Sequence, residues 1–148
     1  MKKVTMVLTC LTLVILGFVS VPKAEAAWSG WQSLTTGYTG RVYTDATTYT
    51  SRASTIDWKV EKKGSSKVYY TAKLYKWNNN GLVYTGQSAG GYFFYSTPLK
   101  SFSVPKARKA TGNGGYQIKV ELYNSYIKDK AHYKGTLNSS KFYITDGV

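Results

Sequence analysis

The chain has 148 residues, enough for one domain, with 20 Lys and Arg against 7 Asp and Glu and a formal net charge of +13. Charged residues make up 18% and apolar residues 43%, which excludes a charge-rich disordered tail and supplies a packed core. One Cys and one His exclude a disulfide framework, a Cys-based zinc site and a poly-His metal site built within this chain.

Met1–Ala26 reads as a secretory signal peptide. Lys2 and Lys3 form the positive start, Val4–Val21 is an uncharged apolar run, and Ala24-Glu25-Ala26 is a small-x-small cleavage site. Cys10 lies inside the apolar run rather than at its end, so no lipoprotein site is read there. Cleavage after Ala26 leaves 122 residues, 17 of them basic and 6 acidic, with a net charge of +11 and no cysteine. About 120 residues can sustain a core without disulfides. Disulfide-free export from a Lys-Lys leader points to a Gram-positive bacterium. The expected organisation is a signal peptide over 1–26 and one domain over 27–148.

Along the mature chain, strand-like alternation dominates. Trp28-Ser29-Gly30-Trp31 comes first, and its indoles are expected to plug the open end of the core, since a mobile terminus exposing them invites aggregation. Arg41–Thr44 and Thr47–Ser51 read as short strands. Thr55–Glu61 alternates Ile56, Trp58 and Val60 against Asp57, Lys59 and Glu61. Lys67–Trp77 follows, with Val68, Tyr70, Ala72 and Leu74 inward, and Asn78-Asn79-Asn80-Gly81 is the strongest hairpin signal in the chain. Leu82–Thr85 is the return strand, Gly86–Gly91 reads as loose, and Tyr92–Tyr95 is an aromatic strand or a loop edge. Leu99–Val104 is a strand stopped by Pro105, and Lys106–Gly115 a basic connection. Tyr116–Tyr123 buries Tyr116, Ile118, Val120 and Leu122. Lys141–Thr145 closes the chain with Phe142 and Ile144 inward. Seven to nine short strands and no helical period of useful length predict an all-β fold, a single antiparallel β-sandwich.

Gly114-Gly115-Tyr116-Gln117-Ile118-Lys119-Val120-Glu121-Leu122 resembles the glycine-led tyrosine strand of immunoglobulin-like modules in secreted Gram-positive proteins. Tyr70–Gly86 and Leu99–Pro105 are similar to the central hairpin and the preceding strand of such modules. The resemblance implies an immunoglobulin-like sandwich and no particular activity, since such folds host many functions. Without a cysteine pair, antibody-type domains are excluded.

Signals for catalysis are weak. His132 sits with Asp129 in a loop-like segment, and no G-x-S-x-G elbow accompanies them. The six mature acids (Asp45, Asp57, Glu61, Glu121, Asp129, Asp146) are scattered. Asp57 and Glu61 are too far apart along one strand for a carboxylate pair, and although Glu121 could approach one of them, Lys59 and Lys119 more simply neutralise these acids. No loop suggests calcium, and Gly112-Asn113-Gly114-Gly115 is a turn rather than a phosphate cradle. No enzyme and no cofactor are expected.

Signals for binding are stronger. The outward residues of the two long strands interleave aromatic rings with lysines: Tyr69, Lys73, Tyr75 and Trp77 on one, Lys119 and Tyr123 on the other. Flat rings suit sugar faces and lysines suit phosphate or carboxylate. Lys106, Arg108 and Lys109 add long-range attraction for polyanions. The expected protein is therefore secreted, extracellular or wall-associated, cationic and non-enzymatic. It recognises an anionic, sugar-containing cell-envelope or matrix polymer. An anionic membrane surface is a second partner class, and regulated nucleic-acid binding is excluded by export. A membrane-active antibacterial toxin and an inhibitor of an extracellular enzyme, presenting Asn78–Gly81 or Ala107–Gly114, are the competing readings.

Overall fold

The computed structural model describes residues 25–147, so all but the last two residues of the predicted signal peptide lie outside the described residues. Among the described residues, eleven strands form two sheets packed face to face, an immunoglobulin-like β-sandwich, and one α-helix and one short 3-10 turn join them. The first sheet runs β1 (Ala27–Trp28), β3 (Thr39–Thr44), β5 (Thr55–Lys62) and β8 (Lys100–Ser103), with β2 (Gln32–Ser33) sharing one edge of β3 with β1. The second runs β4 (Thr48–Tyr49), β11 (Phe142–Ile144), β9 (Gly114–Tyr123), β6 (Val68–Asn78) and β7 (Gly81–Phe93), with β10 (Tyr133–Asn138) also on β9. All pairings are antiparallel except β4 with β11.

Alternation explains the two faces. In β5, β6 and β9 every second residue is buried, which lays Ile56, Trp58 and Val60 of one sheet against Val68, Tyr70, Ala72, Leu74, Ile118, Val120 and Leu122 of the other. Large rings fill the gap. Trp58 stacks on Phe102 at 5.2 Å and meets Tyr70 edge-on at 6.3 Å, while Tyr116 stacks on Phe142 at 6.2 Å. At its end β5 places Lys62 in the inward phase, and its ammonium donates to the Gly64 carbonyl (2.9 Å). Burial pulls that ammonium below its usual pKa.

Four expectations change. Gly86–Gly91 belongs to the long strand β7. Two extra residues bulge out between Tyr84 and Ser88, and Gly86 takes a positive φ of 87°, which breaks the visible alternation without ending the strand. In the hairpin before it, Gly81 alone adopts positive φ, at 116°. The connection after Ser103 is an eight-residue helix, α1 (Val104–Thr111). Ser103 caps it by accepting from the Lys106 N–H (3.2 Å), and Pro105 stands in its first turn. Only Val104 and Ala107 face the core, too few for a legible stripe. Finally, β9 is followed by two strands rather than one, because β10 and β11 share its far edge.

The Trp28-Ser29-Gly30-Trp31 segment does not plug the core. Both indoles lie on the outer side of the first sheet, because Ser29 takes the inward position between them.

Candidate functional site

The outer face of the second sheet is the surface that the sequence pattern singled out, and register now orders it into rows. On β6, Tyr69, Thr71, Lys73, Tyr75 and Trp77 point away from the core. Tyr69 lies beside Tyr92 of β7 and Tyr123 of β9, which in turn lies beside Tyr133 of β10. Four tyrosines from four strands thus form one row. Tyr69 and Tyr92 have ring centroids 6.0 Å apart, Tyr123 and Tyr133 5.8 Å. The Lys67 ammonium stands over Tyr92 and Tyr69, at 4.2 and 5.1 Å.

The opposite end of the face is a second aromatic group. Tyr75 meets Tyr84 of β7 at 5.6 Å, and Trp77 is 39% exposed. Gly115 of β9 leaves a gap between Trp77 and Tyr143 of β11, and the Lys141 stem occupies it. A Cβ on Gly115 would collide with Lys141 Cε. The Lys141 ammonium stands 5.7 Å from the Trp77 ring and 5.4 Å from the Tyr143 ring. From Tyr69 to Tyr75 is about 20 Å of extended strand.

Between the two aromatic ends lies a charged middle. Lys73 and Lys119 are direct cross-strand partners, and Glu121 pairs with Lys73 at 3.4 Å. Among the described residues Lys119 has no acidic partner within 4.0 Å. Like charges placed directly opposite destabilise a sheet by a fraction of a kcal/mol. This arrangement suits an anionic group bound from outside, which relieves the repulsion.

All six ligand-binding candidates, Tyr69, Lys73, Tyr75, Trp77, Lys119 and Tyr123, fall on this one face. Tyr123 departs from the expectation in one respect. It is only 9% exposed, its hydroxyl donates to Glu121 Oε2 (3.1 Å), and burial together with that carboxylate pushes its pKa up to about 12. Tyr123 therefore supports the row rather than offering its ring. Lys67 stands in the outward phase of the Lys67–Trp77 stretch itself, as its sequence already showed, whereas Tyr84 and Tyr92 join the face only through the register of the β6–β7 hairpin, and Tyr133, Lys141 and Tyr143 only through strands far along the chain.

Of the three electrostatic residues on α1, Arg108 is engaged, with its guanidinium on Asp146 (2.5 Å) and Asn113 (2.9 Å). The Asn113 side chain first, and then the Arg108 guanidinium, hold the Asp146 carboxyl below its usual range. Lys106 and Lys109 are exposed.

The carboxylates are dispersed. Glu61 accepts from Arg41 at 2.8 and 3.0 Å on the outer side of the first sheet, so it faces away from Glu121 on the second. The expected approach of Glu121 to Asp57 or Glu61 is thus overturned. Their neutralising partners are Arg41 and Lys73 rather than Lys59 and Lys119. Asp129 Oδ1 sits 2.5 Å from His132 Nδ1 on an exposed turn that the same carboxylate caps. Among the described residues no helix is long and apolar enough to cross a membrane.

Residues 24–145 match the family described as the YqgA MG2 macroglobulin domain. The chain is 37% identical over 125 residues to the Cell wall-binding protein YqgA of Bacillus subtilis (strain 168), covering 80% of this chain and 85% of that protein. No solved structure matches the chain. On the family match and on this identity alike, the chain belongs to the YqgA MG2 macroglobulin domain family.

Proposed function

We propose that the chain is an exported, non-enzymatic protein that attaches to the bacterial cell wall by binding an anionic, sugar-containing polymer on the outer face of its second sheet. The observation that carries this reading is the Lys73–Lys119 cross-strand pair, served by one carboxylate and flanked at both ends by exposed rings. Sugar rings stack on Tyr75, Trp77 and the Tyr69–Tyr92 pair, while phosphate or carboxylate groups meet the lysines. The cell wall-binding name of the relative supports the choice of partner. The net charge of +11 on the mature chain draws the polymer in from a distance.

Sedimentation with intact cell walls tests the reading, with and without removal of teichoic acid, over a salt series. The mature protein is expected to pellet with intact walls even at about 0.5 M salt, where exposed charges are largely screened. The double substitution Tyr75→Ala and Trp77→Ala is expected to weaken pelleting about tenfold while the protein stays folded, as two partly exposed rings contribute about 0.5–1.5 kcal/mol each. Pelleting that vanishes with salt, or that ignores this double substitution, refutes a specific site on this face.

A further inference from the structure

The tryptophans of β1 and the turn after it form a second aromatic and basic surface on the other side of the sandwich. Trp28 packs beside Tyr43 with centroids 5.0 Å apart, and Trp31 is 45% exposed. The turn that carries them is pinned to both sheets. Ser29 is buried, its N–H donates to the Val42 carbonyl (2.8 Å), and its Oγ accepts from the Val42 N–H (2.9 Å). Gln32 then clasps the Asn138 backbone, donating to its carbonyl (2.8 Å) and accepting from its N–H (2.9 Å). An indole held out on so rigid a support is displayed rather than stray.

The charges around it are as ordered. The Arg41 guanidinium lies 4.0 Å from the Trp28 ring and 4.5 Å from the Trp31 ring, and Glu61 fixes its orientation through two hydrogen bonds. Lys63 stands 5.1 Å from Trp31, and Lys59 stands 5.2 Å from Trp28 and 5.4 Å from Tyr43. Asp57, the other acid on this side of β5, accepts from the Ser101 hydroxyl (2.7 Å). Among the described residues neither Lys59 nor Lys63 has an acidic partner within 4.0 Å. Two unpaired ammoniums beside a displayed indole complement a ligand with an apolar ring face and a negative charge.

We propose that Trp28, Trp31, Arg41, Lys59 and Lys63 form a second glycan site, which takes a pyranose ring bearing a carboxylate or phosphate. A neutral sugar engages only the indoles, and a sugar-free polyanion engages only the cations, so neither satisfies the whole site. The site stands on its own geometry. Its consequence, that the protein bridges two polymer strands from opposite sides of one sandwich, rests on the wall-binding reading of the second sheet.

The test uses the mature chain carrying Tyr75→Ala and Trp77→Ala, so that surface indole signal comes from Trp28 and Trp31. Titration with oligogalacturonate, a carboxylated pyranose oligomer, is expected to quench tryptophan fluorescence. Glucose-1-phosphate oligomers serve as the phosphate arm, and maltohexaose and inorganic polyphosphate as the neutral and sugar-free arms. Adding Trp31→Ala is expected to weaken oligogalacturonate binding about tenfold. The milder Lys63→Gln, which leaves both indoles in place, is expected to weaken it severalfold. Unchanged affinity in both variants overturns the site, and so does equal binding of maltohexaose or of polyphosphate. In the otherwise native chain, wild-type protein is expected to clump wall fragments, whereas Trp31→Ala pellets with them without clumping. If Trp31→Ala loses oligogalacturonate binding while the Tyr75→Ala and Trp77→Ala protein pellets like wild type, the second-sheet reading fails and this site stands.

Discussion

Trp58→Phe sets two buried terms against each other. Trp58 is fully buried, and among the described residues its indole N–H has no acceptor. A buried donor without a partner costs about 1–3 kcal/mol, and phenylalanine removes it. Against that, the smaller ring leaves a void of about 40 Å³, which at about 24 cal/mol per Å³ costs about 1 kcal/mol. The stack on Phe102, at 5.2 Å and 23°, survives with a phenyl ring in place. The two terms nearly cancel, so Trp58→Phe is expected to lie within about 1 kcal/mol of wild type, or above it, whereas Trp58→Ala loses about 3–5 kcal/mol. Urea denaturation followed by far-ultraviolet circular dichroism reads the difference. With a slope of about 1–3 kcal/mol per molar, a loss of 3 kcal/mol lowers the midpoint by about 1–3 M. A drop of that size in Trp58→Phe refutes the reasoning, because it means the indole N–H makes a bond that phenylalanine cannot replace. The variant has a second use. It leaves Trp28, Trp31 and Trp77 as the remaining indoles, all on the outer faces.

Alkali offers a further check. Burial raises the pKa of Tyr49, Tyr70, Tyr116 and Tyr123. A phenol whose folded pKa exceeds its unfolded value of about 10 stabilises the fold fully below that pH, and this contribution is lost as pH rises through 10 toward 12. Phenolate absorbance is expected to show a subset of tyrosines that ionise only as the protein unfolds; ionisation of all fourteen together near 10 contradicts this. Ser103→Ala removes the cap of α1 and is expected to cost about 1 kcal/mol in thermal unfolding, since Gln87 still holds the Ser103 backbone. An unchanged melting temperature says the cap is idle. His132→Ala is expected to leave stability within about 0.5 kcal/mol and wall pelleting untouched, and lost pelleting draws the Asp129–His132 pair into the site. Charge reversal at Lys106 and Lys109 is expected to slow association with walls and flatten its salt dependence more than it raises the dissociation rate. Surface-sensor kinetics on immobilised walls distinguish the two.

The period-2 pattern is a property of adjacent residues, so it was legible without any knowledge of pairing. It correctly turned Ile56, Trp58 and Val60, then Tyr70 and Leu74, then Tyr116, Ile118 and Leu122 inward. It also placed Tyr69, Lys73, Tyr75, Trp77 and Lys119 on one outward face. The same pattern failed where its period was interrupted. The bulge after Tyr84 disguised β7, and a helix burying only Val104 and Ala107 left no stripe in α1. Residue preference misled at Trp28 and Trp31. Large aromatic rings belong in cores on average, yet Ser29 occupies the inward position there, and the rings rest instead against Arg41.

What composition and alternation determined, then, was an all-β sandwich with a cationic, aromatic exterior. Which outward residues become neighbours was decided only by tertiary structure. Register between paired strands set Lys73 opposite Lys119, drew Tyr92, Tyr123 and Tyr133 into one row with Tyr69, and left Tyr123 buried within that row. A strand's own residues specify which way each side chain points. Its partner and offset depend on the packing of both sheets at once, a sum over contacts that no single segment contains.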